Sequence, residues 1–171
     1  MDEELDQIEK NDTGELIPRP GYKNVINTIW VFRNTLNEDG QVTRNKSILV
    51  CKGYAQIEGI NFEETFAPDS RMEAICLLLA YSCSKNVKVY QMDVKLAFLD
   101  GELEEVYIEE PEGFQLSENT DYVCKLKKAL YGLKQAPRAW YSILDKYLQQ
   151  ASFTKGSADN NIYIKVSQGN I

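Results

Sequence analysis

Asp93 is the residue with the most chemistry to explain. It sits near the end of Val89-Tyr90-Gln91-Met92-Asp93-Val94, a β-prone run in which a carboxylate costs free energy unless something pairs with it. Two readings account for it. A metal ion at the strand end would neutralise the charge, or the carboxylate caps the turn that follows. The composition narrows the chemistry further. No histidine occurs in the 171 residues, which removes Ser-His-Asp and Cys-His catalysis, histidine-ligated zinc and imidazole general bases. Carboxylates, lysines, arginines and hydroxyls remain. The four cysteines, Cys51, Cys76, Cys83 and Cys124, form no C-x-x-C pair, so zinc and thioredoxin-like chemistry have no support. Cys76 and Cys83 fall on one predicted helix and are expected to share a buried face as reduced core thiols.

Charge gives a second set of candidates. The acidic pairs Glu63-Glu64, Glu104-Glu105 and Glu109-Glu110 have the composition of an acid–base site, but a solvated face is the simpler reading. A net charge of −7 argues against binding nucleic acid through bulk charge,. Any such contact needs a local patch. Lys125, Lys127 and Lys128, followed by Lys134 and Arg138, are the best candidates for backbone contact, and equally fit a merely solubilising patch.

The elements that must position these groups read as follows. At 43% hydrophobic and 26% charged residues the chain is ordinary for a globular protein,, with length for one domain or two small lobes. Residues 1–23 read as a loosely packed N-terminal arm, broken by Pro18-Arg19-Pro20-Gly21. Ile29–Leu36 and Ser47–Cys51 read as strands joined by the turn formers Asn37-Glu38-Asp39-Gly40, hence a β-hairpin. A loop with a break at Pro68 follows. Arg71–Lys85 reads as a helix apolar almost all round, as a buried helix would be. Val87–Val94 is a predicted strand, and Val106–Ile108 and Tyr122–Leu126 are short strands around Pro111-Glu112-Gly113. Pro137 opens the best helix, with Trp140, Leu144, Tyr147, Leu148 and Ala151 on one stripe read as core. Asn161–Val166 is a last predicted strand. Together they give an α+β class, with 87–166 fitting a split β-α-β sheet that carries its helices on one face. The longest apolar run, Ile75–Tyr81, is too short to cross a bilayer. The acidic start Met1-Asp2-Glu3-Glu4 does not suit a secretory signal. An intracellular protein, cytoplasmic or nuclear, with no membrane partner is expected.

Two long motifs carry a resemblance. Gln91-Met92-Asp93-Val94-Lys95-Leu96-Ala97-Phe98-Leu99-Asp100-Gly101 resembles the first catalytic motif of copia-type retrotransposon reverse transcriptases. Ala129-Leu130-Tyr131-Gly132-Leu133-Lys134-Gln135-Ala136-Pro137-Arg138-Ala139-Trp140-Tyr141 resembles their second, nucleotide-binding motif. Gly59–Pro68 and Pro111-Glu112-Gly113-Phe114 are similar as well. The resemblance implies an RNA-directed DNA polymerase domain of a polyprotein, with RNA template, DNA primer and deoxynucleotides as partners and magnesium as cofactor. Residues 24–171 would be a partial domain, with a fingers-like hairpin and loop over 24–70 and an incomplete palm over 71–171. In such enzymes two magnesium ions, roughly 4 Å apart, activate the primer hydroxyl and hold the triphosphate. The resemblance makes Asp93 the first metal carboxylate, with the backbone carbonyl of Val94 beside it. It makes Phe98 the steric gate against a 2′-hydroxyl and Gln135 a contact to the incoming nucleotide. Phe98 also reads as a plain core phenylalanine, and Gln135 as a polar turn residue.

The sequence departs from the family's pattern in two ways. The paired aspartates of the Tyr-x-Asp-Asp turn are not among the 171 residues. The chain is therefore expected to be cut off before the site is complete, and inactive alone. Ile48 stands where the family has an arginine expected to reach the triphosphate, and Ile29, Thr35, Cys76 and Ile143 replace similar basic residues. Gly14 stands where a tryptophan is usual, and the acidic run after Gly101 is one residue short. Charge-assisted phosphate contacts contribute about 1.5–3 kcal/mol each, so losing several would disable a polymerase. The alternative is a non-catalytic remnant that binds nucleic acid or a protein. In either case self-association through the uncovered edge of the Val87–Val94 strand is expected.

Overall fold

The computed structural model describes residues 1–114 and 121–166. Its first element is helix α1 (Asp2–Lys10), with Asp2, Glu3 and Glu4 in the first turn and Lys10 in the last, the charge order that suits a helix dipole. Strand β1 (Gly14–Pro18) follows, then β2 (Val25–Ile26), β3 (Thr28–Leu36) and β4 (Val42–Cys51). The loosely packed arm expected over residues 1–23 is thus a helix and a strand. It is held by pairing to β6 (Tyr122–Lys128), from Gly14 opposite Leu126 to Pro18 opposite Tyr122. Gly14 permits that pairing: a Cβ there would lie 2.6 Å from Cys124 Sγ and 2.9 Å from the Lys125 carbonyl. A tryptophan at this position would not fit these strands.

β6 also pairs antiparallel with β5 (Glu102–Ile108), and β2 adds to β5 in parallel, giving a mixed sheet in the order β1-β6-β5-β2. Its inward side chains make most of the core. Ile26, Val106, Ile108 and Leu126 are buried together with Leu99 and with Leu130, which follows β6, and each such side chain contributes about 1.5–3 kcal/mol. The expected hairpin is present as the separate sheet β3–β4, with Asn34 opposite Asn45. Its turn closes as the residue types predict: Asn37 Oδ1 accepts the N–H groups of Asp39 at 3.1 Å and Gln41 at 2.8 Å, and Gly40 takes φ +76°,.

The chain divides into two compact units. One comprises Met1–Phe66 and Leu96–Trp140, the other Ala67–Lys95 and Tyr141–Ile171. The second contains helix α2 (Met72–Lys85), the later part of helix α3 (Ala136–Gln150), and the small hairpin of β7 (Thr154–Lys155) and β8 (Tyr163–Ile164). The architecture is α+β.

Three expectations are corrected here. The Arg71–Lys85 helix forms, but it is not buried: Leu77 is 70% exposed, Leu78, Leu79 and Tyr81 are exposed too, and Ser82 is its one buried residue. Cys76 and Cys83 lie in the open instead of in a core. A helix apolar on every side needs partners on every side, and among the described residues of its unit it does not have them. Residues 87–94 form no strand, and Met92 is 89% exposed. β propensity expresses packing against neighbours, and this run has no ladder partner among the described residues. The exposed sheet edge expected there is therefore an exposed apolar loop. The α3 stripe read as core is only half-buried at Trp140, Leu144 and Leu148, Tyr147 is 66% exposed, and Ala151 lies just past the end of the helix. No helix among the described residues is long and apolar enough to cross a membrane.

Candidate nucleotide and nucleic-acid site

The later part of the first motif, from Leu96 to Gly101, meets the second motif in the first unit. Ala97–Asp100 is one tight helical turn, entered through Leu96 in a left-handed conformation at φ +58°, which a leucine adopts only at a cost of about 1–2 kcal/mol. Phe98 is half-buried against the core, and its ring meets Tyr131 edge-on at 5.2 Å. The backbones join as well: Ala129 N–H donates to the Gly101 carbonyl at 2.7 Å. A Cβ on Gly101 would lie 2.8 Å from Ala139 Cβ, so the turn and the start of α3 can approach only with glycine there.

The hairpin joins the same cluster. Cys51 N–H, at the end of β4, donates to the Tyr131 carbonyl at 2.8 Å. Gly132 stands at φ +90°, where a Cβ would lie 2.2 Å from the Cys51 carbonyl oxygen, and a Cβ on Gly53 would lie 1.9 Å from the Gly132 carbonyl oxygen. Backbone therefore packs on backbone. Beyond that contact the Gln135 carboxamide is held at both ends. Gln56 Nε2 donates to Gln135 Oε1 at 2.9 Å, and Gln135 Nε2 donates to the Asn61 carbonyl at 3.1 Å. Gln56 and Asn61 lie in a stretch read from sequence as loop; Asn61 falls within the Gly59–Pro68 motif, but neither residue is given a role by type or spacing. Burial pushes the Cys51 thiol up to about 12 and the Cys124 thiol up to about 11, which marks both as inert core thiols.

The basic candidates divide. Lys127 pairs with Asp12 at 3.0 Å and Glu15 at 3.5 Å, and Arg138 pairs with Glu64. Lys134 Nζ lies 4.7 Å from the Phe62 ring centre and 3.4 Å from the Gln56 carbonyl. Lys125 and Lys128 are half-buried on β6. A second basic group emerges only from the strand register. Arg33 stands opposite Lys46, Thr35 opposite Arg44 and Val31 opposite Ile48. Side chains alternate along a strand, so Arg33, Arg44, Lys46 and Ile48 share one face of the hairpin. Leu49, 2% exposed, lies on the other. Ile48 thus continues a basic face.

Asp93 and Val94 belong to the second unit, in the irregular segment after α2, and both are exposed. Among the described residues no group of three or more His, Cys, Asp or Glu side chains is placed to hold a metal ion. One exposed carboxylate does not fit a two-magnesium centre, which needs several oxygen ligands held together. The second unit has instead a polar cluster around Asp145. Lys155 donates to it at 2.7 Å, Gln149 at 2.7 Å and the Tyr163 hydroxyl at 2.9 Å. Burial pushes the Asp145 carboxyl up, but these hydrogen bonds outweigh it and hold the group below the usual carboxylate range. Burial and the hydrogen bonds to Tyr141 and Asp145 raise the Tyr163 phenol. The cluster ties α3 to the β7–β8 hairpin.

Comparison with known proteins gives a consistent result. Residues 11–171 match the family described as reverse transcriptase (RNA-dependent DNA polymerase). The chain is 42% identical, over 96% of its length, to the retrovirus-related Pol polyprotein from transposon TNT 1-94 of Nicotiana tabacum, and covers 12% of that protein. It is 39% identical, over 96% of its length, to the Pol polyprotein from transposon RE2 of Arabidopsis thaliana, covering 11% of it. An uncharacterized mitochondrial protein of Arabidopsis thaliana is 43% identical over 79 residues, which is 46% of each chain. The chain thus spans about one eighth of the length of the two polyproteins. No solved structure matches it.

Proposed function

The chain belongs to the reverse transcriptase (RNA-dependent DNA polymerase) family, and from that premise we propose that it is the front part of the polymerase of a copia-type retrotransposon polyprotein. Residues 24–70 then serve as the fingers-like hairpin and loop, and 71–171 as part of the palm, including its split β-α-β portion. One observation carries the reading. The groups that the resemblance assigns to the nucleotide, Phe98 and Gln135, lie in one unit with the hairpin and are linked to it through Tyr131, Gly132 and Gln56. In this reading Phe98 closes the sugar side against a 2′-hydroxyl, and Gln135 hydrogen-bonds the incoming nucleotide. The basic hairpin face of Arg33, Arg44 and Lys46 draws phosphates toward it, with Lys125, Lys127, Lys128, Lys134 and Arg138 as further contacts to primer and template.

Asp93, with the Val94 carbonyl, is the one metal ligand the motifs supply within these residues. The two-magnesium chemistry of the family is not supported by this set alone. This stretch by itself therefore does not polymerise. The test is primer extension on an RNA template with magnesium or manganese, using the purified chain. No extension above background is expected, and extension that Asp93→Asn abolishes would overturn the claim. The exposed apolar side chains of α2 favour a second reading, a non-catalytic remnant that binds a protein partner or a second copy of itself.

A further inference from the structure

Resting on the reading of Gln135 as a nucleotide contact, we propose that Gln56 is the positioning residue that fixes which way the Gln135 carboxamide faces. Gln56 is 5% exposed, and its Oε1 accepts the backbone N–H of Lys134 at 2.8 Å. A backbone N–H can only donate, so this bond settles which end of the Gln56 amide is oxygen. The other end, Nε2, must then donate, and it meets Gln135 Oε1 at 2.9 Å. Gln135 Nε2 is left facing the Asn61 carbonyl at 3.1 Å. Inverting Gln135 would set nitrogen against nitrogen at one end and oxygen against oxygen at the other.

Asn61 is itself fixed. Its Oδ1 accepts from Ile57 N–H at 2.9 Å and from Asn24 Nδ2 at 2.7 Å, and its N–H donates to the Ile57 carbonyl at 2.9 Å. The orientation of Gln135 is thus dictated in one direction, from the Lys134 backbone through Gln56. One Nε2 proton and one Oε1 lone pair of Gln135 remain for a ligand. A carboxamide presented in a fixed sense discriminates donor from acceptor; a freely rotating one does not.

Gln56→Glu separates this role from a structural one. A carboxylate still accepts the Lys134 N–H, so the loop stays attached. Its second oxygen faces Gln135 Oε1, so Gln135 must invert or let go. The experiment is ¹H–¹⁵N NMR of the full 171-residue chain, with the Gln135 side-chain amide identified by its loss in Gln135→Ala, and titration with magnesium-bound thymidine triphosphate. Gln56→Glu is expected to move both Gln135 amide resonances and to weaken triphosphate binding as far as Gln135→Ala does, roughly 2- to 10-fold. The buried carboxylate should also lower thermal stability, since Gln56 is 5% exposed,, so the resonances and the binding carry the test and Tm does not. Resonances that stay in place overturn the inference, and so does binding that falls in Gln135→Ala but not in Gln56→Glu. Binding that is absent, or indifferent to Gln135→Ala, overturns instead the reading of Gln135 on which the inference rests, and the resonances still decide whether Gln56 orients it. Should Gln56→Glu fail to fold, Gln56→Met reads the same two signals, since it keeps the volume and removes both hydrogen bonds.

Discussion

Replacing Gly132 by alanine should cost far more than an ordinary turn glycine, because two separate effects coincide there. At φ +90° an L-residue is strained, by about 1–2 kcal/mol. The new Cβ would also lie 2.2 Å from the Cys51 carbonyl oxygen and 2.6 Å from Val50 Cγ1. Neither β4 nor the turn can stay in place, and such overpacking costs about 1–3 kcal/mol. The shift breaks the 2.8 Å bond from Cys51 N–H to the Tyr131 carbonyl, a further loss of about 1 kcal/mol. Together these make about 3–6 kcal/mol, a large share of the 5–15 kcal/mol that stabilises a typical domain. Gly40→Ala is the control, since Gly40 has φ +76° but nothing within 4 Å of its Cβ position, and only the strain of about 1–2 kcal/mol applies. Urea unfolding followed by Trp30 and Trp140 fluorescence gives both values, and amide exchange at Cys51 reports the broken bond. Equal losses in the two variants would refute the backbone contact between hairpin and turn.

Two further outcomes follow from the second unit. The folded-state pKa of Asp145 is depressed, so its contribution to stability is present above the unfolded value of 3.8 and is lost as pH falls through the folded value,. Asp145→Asn should therefore lower Tm at pH 7, and the gap to the parent should close below pH 3.8; a gap independent of pH would mean that the charge is not what binds α3 to β7–β8. The exposed Leu77, Leu78 and Tyr81 of α2 should make the purified chain self-associate despite its net charge. Light scattering after size exclusion should show mass rising with concentration and falling in Leu77→Lys/Leu78→Lys, whereas a monodisperse monomer at every concentration would rule this out.

What could be read from the sequence depended on whether the determining contacts were local. The β3–β4 hairpin was legible because Asn37 closes its own turn through bonds to Asp39 and Gln41. Gln135 and Phe98 were legible because long motifs surround them. β1 was not, since its partner β6 lies more than a hundred residues away and Pro18 argued against regular structure, although a proline is tolerated at the end of an edge strand. Val87–Val94 misled because its β-branched residues report only a readiness to pair. Helix α2 misled because an apolar surface announces a need for burial, not its fulfilment. The clamp on Gln135 was invisible, since Gln56 and Asn61 become significant only when the fold brings 56–61 against 134–135.

Joining this stretch to a segment that carries the Tyr-x-Asp-Asp turn, and measuring deoxynucleotide incorporation on a primed RNA template, tests the polymerase reading most directly. Incorporation should be weak but measurable, since Ile48 puts an apolar side chain at the end of the face of Arg33, Arg44 and Lys46. Ile48→Arg should raise it mainly by lowering KM, because an arginine on the triphosphate binds ground and transition states alike. Asp93→Asn should remove it. Incorporation that persists when Asp93→Asn is added to Ile48→Arg, or that Ile48→Arg leaves unchanged, would contradict the account.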